Sequence, residues 1–420
     1  MSLKKKERRQ NRDILGSTHN IVIRFSVIWI LIILFLLTFS VSNSIAADKA
    51  PYVIGGIVSV TGQAAHWGTQ LAEGEAFTVK QWKDRGGIKG YPIKYIPGDD
   101  ECKTDRTLII AKKLVTKDNV LAIAAGGLTA GVTAISPYLN EIGVPFVFSA
   151  GGKTYSLPKE KFMFGVLPNT PIVEDYKLKW FKAKGITRVA LVADNTAYGE
   201  EKVTYVPGAA KRYGVDLVAV ERYNIEDMDM TAMLSRVKAK NPEGILLGGY
   251  AEAAVRILKQ SLQIGLNVPI TLPVACVDNI FIQNLGSTAM GKTNIFADGS
   301  YLMTLDEIPN TDPRKIKSKA FVEAFEKEYK KKFNYGNGVG HDKMETILKA
   351  IEAVALPADK IDYKNADQLK KIRADIRTWL ENAKGLELLT GTFSRSPEDH
   401  IGTRDVGMVR IIDGKWMPTE

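Results

Sequence analysis

Two cysteines and four histidines in 420 residues leave little room for several kinds of chemistry. Cys102 and Cys276 cannot build a disulfide-dense scaffold or an all-cysteine metal site. His19, His66, His341 and His400 are too scattered to suggest a metal centre or a catalytic triad, and neither a G-x-S-x-G elbow nor an H-E-x-x-H pair is present. Two glycine strings approach a nucleotide-binding loop and miss it. In GGKT (151–154), Val147 stands where the phosphate loop needs its first glycine, and Pro158 obstructs the helix that would follow. GGLTAG (126–131) lacks the spacing of a dinucleotide site. An enzyme is therefore not expected, nor is a cofactor or a metal.

The charge is also less than it first looks. Of the formal +10, residues 1–46 carry +5, from seven basic and two acidic side chains, which leaves +5 on the other 374 residues. That is a solvated surface rather than a footprint for nucleic acid.

The N-terminal segment joins a basic stretch, an uncharged apolar run from Phe25 to Val41 and the small residues Ser44-Ile45-Ala46. These are the three parts of a secretory signal peptide, 1–46, with the cut expected before Ala47. An uncleaved anchor is the alternative, because the apolar run approaches the length that spans a bilayer. No cysteine lies near the cut, so a freely diffusing periplasmic protein is expected rather than a lipoprotein. No later segment is apolar enough to span.

From Pro51 onward, short β-branched runs alternate with amphipathic stretches. Strands are expected at 52–58, 93–97, 120–125, 144–149, 188–193, 215–222, 244–249 and 269–274. Helices are expected at 69–85, 104–117, 170–184, 201–213, 230–240 and 251–264. This rhythm means βαβ units and parallel sheets with helices on both faces. About nine units exceed one sheet, so two doubly wound α/β domains are expected, with a break near 162–171. The tail reads as three helices (314–333, 341–356, 364–383) followed by strands at 389–394 and 406–413.

GGLTAGVTA follows the third strand and opens a helix. Free backbone N–H groups there, with the Thr129 and Thr133 hydroxyls, could receive a carboxylate. Alternatively, Thr129 simply caps its helix.

Taken together, these blocks resemble the leucine/isoleucine/valine-binding proteins of bacterial ABC importers. The resemblance is carried by IGGIVSVTGQAAHWGTQ, a helix ending in GGIKG, a second strand ending in Asp99-Asp100, VALVADNTAYGEE, ILLGGYAEAAVRILKQ and the terminal TGTFSRSPEDHIG. It implies the type I periplasmic binding fold: two doubly wound Rossmann-like lobes joined by a three-strand hinge. Lobe 1 would span 47–168 plus 303–390, and lobe 2 would span 169–302 plus 391–420. It also implies a pocket between the lobes. Trp67 would cover the ligand's apolar part, with Ala65 and His66 on the same wall. Leu128 and Thr129 would receive a carboxylate, Lys153 would add a cation, and Tyr198 and Tyr250 would close over the ligand.

The sequence departs from the family at two places. Relatives hold an amino acid's ammonium with a carboxylate where Ala275 stands here, and Asp278 could substitute only if its loop is shifted. The family partner of Cys102 is missing as well, so two free thiols are expected. The resemblance implies a monomeric solute-binding component that captures a hydrophobic or branched-chain amino acid and delivers it to an ABC permease in the inner membrane. Ala275 keeps open a small carboxylate, aromatic acids included, without an ammonium group, and a sensory ligand carrier is a further alternative.

Overall fold

The computed structural model describes residues 49–151, 161–286, 294–299 and 301–419. The signal peptide and the anchor alternative lie outside these residues, as does Lys153. Among the described residues no helix is long and apolar enough to cross a membrane.

The first sheet is built from β1 (Tyr52–Val58), β2 (Ile93–Asp99), β3 (Ile123–Gly126), β4 (Phe146–Ser149) and β5 (Met163–Gly165) in the order β2-β1-β3-β4-β5. Every pairing in it is parallel. β1 explains why. All seven of its residues are buried: Tyr52, Ile54 and Val58 enter one apolar cluster, and Val53 and Ile57 enter the cluster on the opposite face. A strand buried on both faces cannot show polar alternation, so it reads as a continuous apolar run. One face is covered by α1 (Ala65–Asp84), α10 (Tyr335–Val354) and α11 (Ala366–Asn382), and the other by α2 (Thr104–Thr116) and α3 (Thr129–Ile142).

The second sheet repeats this plan. It contains β6 (Arg188–Asp194), β7 (Asp216–Tyr223), β8 (Gly244–Gly248), β9 (Ile270–Leu272) and β10 (Ile295–Gly299), paired in parallel as β7-β6-β8-β9-β10. An antiparallel hairpin, β13 (Gly407–Ile412) and β14 (Lys415–Pro418), then extends the β10 edge. Helices α4 (Thr170–Ala183) and α5 (Ala197–Tyr213) cover one face. The other is covered by α6 (Thr231–Ala239), α7 (Ala251–Gln263) and α8 (Asn279–Leu285). Helix α9 (Pro313–Tyr329) packs with the first sheet's helices through Phe321 and Phe325.

The chain passes between the two sheets three times: after β5, after β10, and after the short pair β11 (Leu386–Glu387) and β12 (Thr392–Phe393). The first and third passages touch. Gly165 N donates to His400 O at 3.1 Å, and Arg395 Nη2 donates to Gly165 O at 3.0 Å. The fold is therefore two doubly wound lobes joined by three crossing segments.

Some elements differ from the sequence expectation. Strands β5, β10 and β14 and helix α8 were not anticipated, because three to seven residues carry too little periodicity. Instead of one strand over 389–394 there is only the two-residue β12. Helix α10 starts at Tyr335, six residues before the expected 341, because YGNGVG has the composition of a turn. Its glycines are there for packing. A Cβ on Gly74 would overlap the carbonyl oxygen of Asn337, and one on Gly340 would overlap that of Leu71, so α1 and α10 meet backbone to backbone. Gly340→Ala is expected to lower stability by about 1–3 kcal/mol in urea unfolding, the usual cost of overpacking. Gly208→Ala, which meets nothing within 4 Å on α5, should be neutral or slightly stabilising.

Candidate functional site

In both sheets the carboxyl ends of the parallel strands face the same cleft, which is where open α/β sheets bind ligands. The cleft holds about 750 Å³ of empty space, its open mouth included. The first and third crossing segments contribute to its lining through Leu167, Pro168, Asp405 and Val406, and Gly299, the last residue of β10, lines it where the second begins.

Four of the seven residues proposed from sequence come together here: Trp67, Thr129, Tyr198 and Tyr250. Trp67, in the first turn of α1, is 6 % exposed. The Tyr198 and Tyr250 rings, at the starts of α5 and α7, lie 6.2 Å apart. Tyr198 lies against Gly151, just past β4 of the first sheet, where an added Cβ would come within 2.6 Å of its ring. Burial pushes the Tyr198 hydroxyl well above its usual pKa, with Asp298 adding to the effect, so the phenol stays neutral. Thr129 does not cap its helix. The N-cap of α3 is Leu128, which has no side-chain oxygen, and the Thr129 hydroxyl donates to Gly151 O at 3.3 Å. Both cysteines are free thiols.

Two of the other three positions stand elsewhere. Leu128 does not line the cleft. With Ala64 it packs into the apolar cluster of the second sheet, beside Tyr250 and Cys276. Lys153 lies outside the described residues. Asp278 is occupied: it caps α8 by accepting from Phe281 N at 2.6 Å, and its other oxygen meets His66 Nε2 at 2.7 Å. His66 and Ala65 line a separate hollow beside α8, not the cleft wall.

Sequence reasoning missed several cleft residues. Tyr335 was hidden in the apparent turn, and Ser149, Thr170, Lys202 and Asp298 carried no motif. Ser149 Oγ and Thr170 Oγ1 are buried, with no hydrogen-bond partner among the described residues. Burying a hydroxyl unpaired costs about 1–3 kcal/mol. Beneath the second lobe's wall runs a row of four buried charges. Asp298 Oδ1 meets Lys177 Nζ, Lys177 lies 3.9 Å from Glu174, and Glu174 meets Lys202. Burial alone would raise the Glu174 carboxyl, yet Lys202 and then Lys177 hold it below its ordinary value. Lys202 also sits 4.6 Å from the Tyr198 ring centre, as a cation on an aromatic face. Among the described residues no cluster of three or more His, Cys, Asp or Glu is placed to hold a metal.

A profile of the periplasmic binding protein family matches residues 51–415. The chain belongs to this family. It is 25 % identical over 353 residues to the leucine-, isoleucine-, valine-, threonine-, and alanine-binding protein of Pseudomonas aeruginosa, covering 80 % of this chain and 84 % of that one. It is 24 % identical over 297 residues to the leucine-specific-binding protein of Salmonella typhimurium, covering 69 % and 75 %. Two solved structures share the fold. One is an extracellular ligand-binding receptor from Rhodopseudomonas palustris HaA2, with a TM-score of 0.78 at 22 % identity, covering 88 % of this chain and 100 % of that chain. The other is a branched-chain amino acid transporter substrate binding protein from Streptococcus pneumoniae, solved with isoleucine, with a TM-score of 0.73 at 22 % identity, covering 87 % and 97 %.

The His66–Asp278 contact joins helix α1 of the first lobe to the second, and it sets a pH dependence. The hydrogen bond to Asp278 raises the His66 pKa above 6.5. Burial opposes this, the Asp278 and Glu252 charges reinforce it, and Lys331 lowers it. A pKa raised by folding means stabilisation that is full below 6.5 and lost as pH rises through the folded value. The thermal midpoint of the unmodified protein, relative to that of His66→Asn, should therefore fall between pH 6.5 and 8.5. An equal midpoint difference at both pH values would contradict this.

Proposed function

We propose that this chain is the solute-binding component of an ABC importer, exported through residues 1–46. It captures a hydrophobic or branched-chain amino acid between lobes 47–168 plus 303–390 and 169–302 plus 391–420. It then delivers the ligand, as a monomer and without a cofactor, to a permease in the inner membrane. The observation that carries this reading is the composition of the cleft. Trp67, Leu167, Val173, Tyr198, Tyr250 and Tyr335 supply apolar and aromatic wall from both lobes, and the polar residues Thr129 and Asp298 line the same space. That is the chemistry of a small ligand with an apolar body and a polar head. The names of the Pseudomonas aeruginosa and Salmonella typhimurium relatives, amino-acid-binding in each case, support the same class. Ala275 lines the cleft without a charge, and this favours a second reading, a small carboxylate with no ammonium group.

A thermal-shift screen of amino acids and simple carboxylic acids tests the proposal. A true ligand at a hundred times its Kd stabilises by about 2.7 kcal/mol and should raise the midpoint visibly. Small-angle scattering should show compaction on saturation, because a ligand held by both lobes favours the closed form. A flat screen across both solute classes, with no compaction, would overturn the proposal. Gly151→Val places a branched side chain where the Tyr198 ring closes on the first lobe. It should weaken the ligand found in the screen by roughly tenfold or more, about 1.4 kcal/mol, with little loss of thermal stability in the unliganded protein. Unchanged affinity in a calorimetric titration would remove Tyr198 from the closure.

A further inference from the structure

Position 275 brings no carboxylate to the cleft, but the turn that contains it rests on one from another strand. Asp298, next to last in β10, lines the cleft, and its Oδ2 accepts a hydrogen bond from Val274 N at 3.2 Å. Its Oδ1 meets Lys177 Nζ, which is itself anchored by donating to Leu272 O at 3.0 Å. An ionised carboxylate offers about four acceptor positions, so these two partners leave acceptor capacity on a residue that lines the cleft. The buried row is balanced, with Lys177 and Lys202 against Glu174 and Asp298. Asp405, also at the cleft, adds a negative charge. Among the described lining residues the sole cation, Lys202, is already paired with Glu174. A ligand bearing only a carboxylate would bring a net negative charge to this wall. A zwitterion brings none, and Asp298 offers its ammonium a matching group.

We propose that Asp298 is the ammonium acceptor of the cleft, doing from β10 what a carboxylate at position 275 would do, so that the site takes a small zwitterion in preference to the matching simple acid. This rests on the solute-capture reading above and chooses between its two ligand classes. Lys177 is then a positioning residue. It holds the Asp298 carboxylate against the Val274 turn without touching the ligand.

The test uses matched pairs that differ only in the amino group: leucine with 4-methylpentanoic acid, valine with 3-methylbutanoic acid, and phenylalanine with 3-phenylpropanoic acid. In calorimetric titration of the unmodified protein, at least one amino acid should bind about tenfold or more tighter than its deaminated partner, the scale of one charge-assisted hydrogen bond. Asp298→Asn keeps the shape and an acceptor for Val274 N. It should narrow that gap by weakening the amino acid and leaving the acid's affinity much as it was. If Asp298→Asn fails to fold, the matched pairs on the unmodified protein still decide the ligand class. Acids that bind as tightly as their amino acids, or an amino acid affinity unchanged in Asp298→Asn, would overturn the proposal. Acids binding while amino acids do not would overturn it and leave solute capture standing. Silence from every solute, with no compaction in scattering, would overturn the proposed function as well.

Discussion

Four charged side chains lie under one wall of the cleft with almost no access to water, and the geometry of that wall depends on their balance. Taking a single carboxylate or ammonium out of water costs several kcal/mol, which only close opposite charges and further hydrogen bonds can offset. Lys177 meets this condition with Asp298 on one side, Glu174 on the other and the Leu272 carbonyl as a third acceptor. Glu174 in turn meets Lys202. Because Lys177 and Glu174 come from α4, Lys202 from α5, Leu272 from β9 and Asp298 from β10, the row pins two helices to the cleft ends of two strands. A shift of any one of them would strand a charge. The row therefore contributes less to net stability than to fixing where Tyr198 and the Val274 turn stand.

On the first lobe the equivalent constraint is steric. Gly74 and Gly340 let α1 and α10 touch through their backbones, and this places Trp67 and Tyr335, each near the start of its helix, on the same cleft. Larger side chains at those glycines would push the helices apart and carry the two aromatics with them. One wall is thus positioned by paired charge and the other by missing side chains. The cleft between them is bounded on one side by the first and third crossing segments, through Leu167, Pro168, Asp405 and Val406.

The doubly wound plan was legible in the sequence because buried parallel strands leave continuous apolar runs, as in YVIGGIV and RVALVAD, separated by helices of regular length. Short elements without a period were not legible, which is why β5 and β10 were missed. Within the site, the aromatics Trp67, Tyr198 and Tyr250 were recognisable from the blocks around them. Tyr335 was not, since the glycines after it look like a turn until the helix they pack against is known. Asp278 looked available in the sequence, and the structure commits both of its carboxylate oxygens, one to cap α8 and one to His66.

Asp298 shows the deeper limit. In the sequence it is one acidic residue in IFADG, with no partner nearby and no motif to mark it. Its meaning comes from Lys177 and Val274, distant along the chain and brought close only when β9 and β10 pair and α4 packs over them. Strand pairing places residues from separate segments at one sheet end, so a charge can serve a site from any strand that terminates there. An alanine at position 275 is then no evidence that the cleft lacks a carboxylate. It is evidence only that the turn after β9 does not supply one, and the next strand in the sheet ends at the same place.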